Sequence, residues 1–244
     1  EIAELDAFFA KTGYTKSSQN YIIKWLIDFI KEYGVDGFRV DTAKHVEGYV
    51  WQKLWDQAKA AFEEHKKNNA TSFKDDLEFY MVGEVYNYGL ANGPLYDYGD
   101  RKVNFYESGF NSMINFDFKY DAIMSYSSMH EKYDSILSTP GMQGKWLLNY
   151  LSSHDDGAPF DPKREKTFES ANRLLLNRGA AQIYYGEETA RSLTVKAEGD
   201  AVLRSYMNWE DLNKAETQDL YKHFQKLGTF RQKHPSVGAG KHTT

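Results

Sequence analysis

The chain contains no cysteine, so neither a disulfide framework nor a thiolate metal site is open to it, although compartment does not follow, because secreted bacterial proteins can lack cysteine too. No apolar run is long enough to cross a bilayer. Positive charge is not in excess: 30 Lys and Arg stand against 35 Asp and Glu, for a net charge of −5. That balance argues against nucleic acid as the partner, since a phosphate-binding surface needs clustered Lys and Arg. The longest charged run, "EEHKK" at Glu63 to Lys67, mixes signs and reads as a solvated helix end. An initiator methionine is missing as well. The chain opens on Glu1 and stops at "GKHTT" with no closing element; both ends look cut, which makes the lack of a leader uninformative. There is no short repeat or low-complexity segment.

What is present is enough apolar material, 41% with 16% aromatics over 244 residues, for one large domain or two small ones. "SSQNYIIKWLIDFIKEYG" offers Ser17 and Ser18 as N-caps, apolar residues at Ile22, Ile23, Leu26, Ile27 and Ile30, and Gly34 past the end; the pattern predicts a helix. A β-prone run follows around Phe38 and Val40. A second helix is expected in "KHVEGYVWQKLWDQAKAAFEEHKK", where Val46, Val50, Leu54, Ala58 and Phe62 recur every four residues. Next come a strand in "EFYMVGEV", a long loop from Tyr86 to about Ser112, a strand in "MINFDF", a helix over roughly 121–137 and a strand in "KWLLNYLS". The helix "REKTFESANRLLLNRG", with Phe168, Ala171 and Leu175 on one face, leads into the strand "AQIYYG". A last helix from about Glu216 to Lys233 is ended by Pro235.

Five alternations of strand and helix predict parallel βα units, which leaves an open doubly wound sheet or a closed (β/α)8 barrel. A dinucleotide-binding sheet should carry a glycine-rich turn after its first strand. No G-x-G-x-x-G or G-x-x-x-x-G-K-[ST] occurs. Instead, three strands each end on a carboxylate: Asp41 after "GFRV", Glu84 after "YMVG" and Asp155 after "LSSH". Catalytic groups drawn from the C-terminal ends of several strands are what a barrel's top face uses. "YLSSHDDG" is the densest of these, with His154, Asp155 and Asp156 in consecutive positions. Alone it could be a strand leaving the core through an Asp-Gly turn.

"GFRVDTAKH" (37–45), "GEVY" (83–86), "SSHDD" (152–156) and "IYYGEE" (183–188) together resemble four ordered motifs of the α-amylase superfamily of glycoside hydrolases. "AELD" near residue 5 is similar to a further short motif of that family. The resemblance spans about residue 4 to Pro235. It implies an α/β fold, a (β/α)8 TIM barrel of which residues 1–244 carry about five of the eight βα units, strands 4 to 8. The early barrel strands, most of the inserted domain and the C-terminal β-sandwich would then be absent, and the isolated chain is expected to be poorly active or inactive.

The resemblance implies that Asp41 is the catalytic nucleophile, Glu84 the general acid/base and Asp155 the carboxylate that stabilises the transition state. Glycoside cleavage needs a carboxylate near the anomeric carbon and a proton donor on the departing oxygen, and a third carboxylate nearby would help keep Glu84 protonated. Arg39, two residues before Asp41, shares its side of the strand and is expected to hold it ionised and aimed. By the same resemblance His154 contacts the sugar at the cleavage subsite, while Lys44 and His45 bind the sugar on the leaving-group side. Tyr86 and Tyr88 are candidates to stack on sugar faces. The main-chain carbonyl of His45 is implied as one ligand of a structural calcium, whose remaining ligands come from segments not in this chain; calcium wants six to eight oxygens.

Two departures from the family pattern are visible. Ser153 stands where most members have Asn, and Thr42 where Ala is common. The implied activity is retaining cleavage of α-1,4-linked glucans such as starch. Alternatives are α-glucosidase, transglycosylase or isomerase activity in the same superfamily, or a non-catalytic carbohydrate-binding relative, which usually lacks one of the three carboxylates. Because polysaccharides do not readily enter cells, an extracellular or periplasmic address is expected.

Overall fold

The computed structural model describes residues 2–73, 75–155 and 157–242. It divides into two compact units, residues 1–86 with 95–113, and residues 87–94 with 114–244.

The first unit begins with α1 (Ile2–Thr12) and α2 (Ser18–Tyr33). Helix α1 has no counterpart in the sequence reading. Helix α2 starts where Ser17 Oγ accepts the Asn20 N–H and stops at Gly34, whose N–H bonds the Ile30 carbonyl, the capping chemistry its sequence carries. Ile23, Ile27 and Ile30 are buried. So is Lys24, which ion-pairs with Glu4 and Asp28. Ile22 differs from expectation: at 52% exposure it lies on the opposite face, because one residue's step of about 100° carries it off the stripe.

Strand β1 (Gly37–Val40) pairs in parallel with β2 (Tyr80–Gly83), joined by α3 (Gly48–Asn68). Leu54, Ala58, Ala61 and Phe62 form the buried face of α3. Val46, expected on that face, precedes the helix and is exposed. The segment read as a plain loop contains a two-strand antiparallel hairpin, β3 (Tyr96–Asp97) and β4 (Lys102–Val103). Strand β5 (Ser112–Asn115) then pairs in parallel with β2, Val82 opposite Ser112 and Gly83 opposite Met113.

Strand β5 passes into the second unit, where α4 (Phe118–Asp121), α5 (Tyr126–Leu137) and β6 (Trp146–Tyr150) follow. The strand foreseen through Phe118 ends early because Asn115 Oδ1 accepts the Asp117 N–H at 3.2 Å while its amide reaches Tyr133 Oη at 2.8 Å and Asn149 Oδ1 at 2.9 Å. An Asx side chain bonding two residues on is a turn former. Helix α5 begins five residues later than expected, where Ser125 Oγ accepts the Ser128 N–H. The remaining elements are α6 (Thr167–Leu175), β7 (Ala180–Gln182), parallel to β6, then α7 (Ala215–Lys233) and α8 (Ser236–Ala239). Ala171 and Leu175 of α6 pack on Leu220, Phe224 and Leu227 of α7, whereas Phe168 is 46% exposed and stacks at an angle on His223. The five parallel strands run in the order β1-β2-β5-β6-β7.

Gly34 tests the packing of α2 on α3. Its φ of +67° and a Cβ that would fall 2.5 Å from His65 Nε2 leave no room for alanine. Gly34→Ala should cost about 1–2 kcal/mol, seen as a drop of several degrees in Tm; an unchanged Tm would show that the helix end relaxes freely.

Candidate active site

Strand register builds the first half of the site. Arg39 lies opposite Val82 and Val40 opposite Gly83, and the ladder continues past both strand ends: Glu84 N–H bonds the Val40 carbonyl and Ala43 N–H bonds the Glu84 carbonyl, each at 2.8 Å. Asp41 and Glu84 therefore leave neighbouring parallel strands at the same level. One guanidinium spans them. Arg39 Nη1 lies 2.5 Å from Asp41 Oδ1, and Nη2 lies 3.1 Å from Glu84 Oε2, a two-pronged use of the planar fork that a lysine cannot copy. The Thr42 N–H also points at Glu84 Oε2, 3.3 Å away. That aim requires a left-handed backbone at Thr42, φ +46°, which is costly for a β-branched residue. Glu84 is largely buried and Asp41 exposed. A Cβ at Gly83 would press on the Phe110 ring at 3.0 Å.

Lys44 and His45 sit in a short helical turn (Ala43–His45) after the strand. Lys44 Nζ contacts the Tyr86 carbonyl at 3.4 Å and Tyr96 Oη at 3.1 Å, and its carbonyl accepts the Tyr98 hydroxyl at 2.7 Å. His45 is exposed and tied by its N–H to the Thr42 carbonyl. Tyr86 is 56% exposed, whereas Tyr88 is buried with its hydroxyl on the Gly93 carbonyl; Tyr88 is packing, not a sugar platform. Tyr96 and Tyr98 were missed in the sequence. The alternating tyrosines of "YDYGD", set against a Gly-Asp turn, were the available signal.

In the second unit, β6 delivers Ser152, Ser153, His154 and Asp155. Ser153 Oγ donates to Asp155 Oδ1 at 3.2 Å, and His154 Nε2 lies 3.1 Å from Asp155 Oδ2. The His154 carbonyl accepts Arg204 Nε at 2.9 Å. Asp156 lies outside the described residues. Beneath this turn lies Glu187, part of the "IYYGEE" motif though no role was read for it there, which is buried and accepts a short hydrogen bond from Ser152 Oγ. Burial pushes its carboxyl up to about 7, against the opposing pull of the Ser152 hydrogen bond and the Arg164 guanidinium, 3.9 Å away; Glu188 and Asp161 add a smaller upward push.

Within the first unit two carboxylates at parallel strand ends share one guanidinium, and within the second a His-Asp pair follows a strand; polar groups carried at the C-terminal ends of parallel strands define the class, an α/β protein of barrel type. Residues 13–225 match the family described as alpha amylase, catalytic domain, and the chain belongs to that family. It is 38% identical over 236 residues to a periplasmic alpha-amylase of Escherichia coli K12, covering 95% of this chain and 32% of that protein. Among solved structures it resembles an Anoxybacillus alpha-amylase, with a TM-score of 0.63, 20% identity, and 90% and 44% of the two chains covered. It also resembles AmyP in complex with maltose, with a TM-score of 0.63, 18% identity, and 94% and 53% covered. These likenesses establish the fold as part of a (β/α)8 barrel. The chain spans about a third of the length of its E. coli relative.

Glu187 gives a pH-dependent prediction. Its folded value, about 7, stands above the ordinary 4.5, so its contribution to stability is complete below about pH 4.5 and is lost as pH rises through 7. Glu187→Gln, uncharged at every pH, should therefore gain on the wild type by roughly 3 kcal/mol between pH 4.5 and 8. Denaturant melts of both proteins across that range check it; a pH-independent difference would mean that Glu187 titrates normally.

Proposed function

We propose that this chain is the catalytic portion of a retaining glycoside hydrolase that cleaves α-1,4-glucosidic bonds in starch or related α-glucans. The observation that carries the reading is Arg39 spanning Asp41 and Glu84. A fork that bonds both carboxyls puts them in one neighbourhood at the ends of adjacent strands, where a nucleophile and an acid/base can act on one glycosidic bond, and the retaining course is the one the family resemblance implies. Asp41 is the nucleophile and Glu84 the acid/base. Glu84 gives its proton to the glycosidic oxygen as the C–O bond breaks, and an Asp41 oxygen bonds the anomeric carbon. Glu84 then takes a proton from the water that attacks that carbon and releases Asp41. Asp155, held by Ser153 and His154, is the third carboxylate, gripping substrate hydroxyls as positive charge develops on the sugar. His154 contacts the same sugar; Lys44, His45 and Tyr86 take the leaving-group side.

The partner is an α-glucan oligosaccharide or polysaccharide, a reading supported by the maltose named in the AmyP structure. An extracellular or periplasmic address is supported by the name of the E. coli relative. No helix among the described residues is long and apolar enough to cross a membrane. Calcium fits less well. The His45 carbonyl supplies one oxygen, and among the described residues no group of three or more His, Asp or Glu could hold a metal. The donors present do not complete the six to eight oxygens calcium takes, and no step above depends on it.

Two variants test the assignment, in a form of the protein long enough to hydrolyse starch. Arg39→Lys should lower kcat by about a hundredfold or more while KM changes little, since the group acts on positioned carboxylates rather than on ground-state sugar; near wild-type turnover would reduce Arg39 to a structural residue. Glu84→Gln with α-glucosyl fluoride, whose leaving group needs no proton, should form the glycosyl-enzyme and stall. Mass spectrometry should then find one added sugar on the peptide carrying Asp41. A sugar on Asp155, or β-configured first product by NMR, would falsify this assignment.

A further inference from the structure

One hairpin reaches Lys44 at both ends. At the tip, Nζ lies 3.1 Å from Tyr96 Oη and 5.4 Å from that ring's centre. The hydroxyl is thus the nearer part of the ring, and the contact is foremost a hydrogen bond. At the root, the Tyr98 hydroxyl donates to the Lys44 carbonyl at 2.7 Å. The hairpin is itself braced. Tyr96 and Tyr98 meet edge to face at 5.0 Å, and Tyr96 also meets the buried Phe105. The Arg101 guanidinium lies 4.6 Å from the Tyr98 ring centre. Asp97 Oδ1 accepts the Gly99 N–H at 2.7 Å, closing the turn, while Tyr98 N–H bonds the Arg101 carbonyl at 2.8 Å.

An ammonium has three donors. Tyr96 Oη takes one and the Tyr86 carbonyl another, so the direction of the third follows from those two acceptors, one of which the hairpin sets. We propose that the β3–β4 hairpin is a positioning element for the leaving-group side of the glucan: Tyr96 and Tyr98 pin Lys44 at its tip and root and aim its third N–H at a sugar hydroxyl beyond the scissile bond. The proposal rests on the reading of Lys44 as a sugar-binding residue. It adds that affinity on that side is set by two tyrosine hydroxyls that need not touch sugar. A long flexible side chain loses much rotamer freedom when it binds, and a lysine already pinned at both ends loses less.

The test is maltoheptaose binding to the same longer, starch-hydrolysing form of the protein, followed by NMR titration, with circular dichroism to verify each fold. Tyr96→Phe and Tyr98→Phe each remove one oxygen and keep the ring. Each should weaken binding about tenfold, the effect of losing one hydrogen bond to or beside a charged group. Lys44→Met should weaken it at least as much. Tyr96→Phe on top of Lys44→Met should add nothing, because a positioning residue has no effect once its client is gone. If the two phenylalanine variants bind as the wild type while Lys44→Met is weakened, the hairpin has no positioning role and the reading of Lys44 survives. Additive losses in the double variant would also overturn it, by making Tyr96 a separate contact. If Lys44→Met binds as well as the wild type, or the starch-hydrolysing wild-type protein does not bind maltoheptaose at millimolar concentration, the reading of Lys44 fails and takes the proposal with it.

Discussion

The contact on which the first unit's chemistry turns is the Arg39 guanidinium between Asp41 and Glu84. It is possible because two parallel strands are in register, so that Asp41 and Glu84 leave them at the same level while Arg39, opposite Val82, reaches up to both. A cation that bonds both carboxyl groups fixes their orientation toward each other. The backbone adds a second restraint through the bonds from Glu84 N–H to Val40 and from Ala43 N–H to Glu84. Moving either carboxylate would break main-chain hydrogen bonds as well as an ion pair. In the proposed reaction, orientation of this kind would be supplied before substrate arrives, where much of the advantage of a catalytic pair resides.

Within each unit, the roles of residues divide by what they touch. Arg39 and the Thr42 N–H act on carboxylates; Lys44 faces the aromatic hairpin; Ser153 and His154 fix Asp155 in the other unit. Ser153 is informative because a hydroxyl stands where the family commonly has an amide. Its single donor is spent on Asp155 Oδ1, so the substitution keeps the orienting bond and gives up any further donor that an amide would present.

Much of this was legible in the sequence, for a physical reason: short-range rules governed it. Ser17 and Gly34 announced the limits of α2, and period-two geometry put Arg39 beside Asp41. What was not legible depended on contacts distant in sequence. Asn115 ends β5 by bonding to Tyr133 and Asn149, residues that no local window includes. Helix α1 is short and mostly exposed, with Phe9 its buried residue, so its periodicity was weak. The hairpin has strands of two residues each, below the length at which alternation is readable. Glu187 was quoted within a motif, yet its burial beneath Ser152 follows only from how β6 and the segment after β7 meet. Phe168 and Ile22 carried apolar character to exposed positions, which hydrophobic pattern alone cannot distinguish from core.

Thr42 holds a conformation that its side chain disfavours. A laboratory search for heat-tolerant variants would find this turn attractive, since relieving a left-handed β-branched residue is among the easier ways to raise a melting point. The same relaxation would let the peptide swing away from Glu84. Thermal durability and the hold on Glu84 therefore pull on one torsion angle in opposite directions, and selection for either alone will drift from the other.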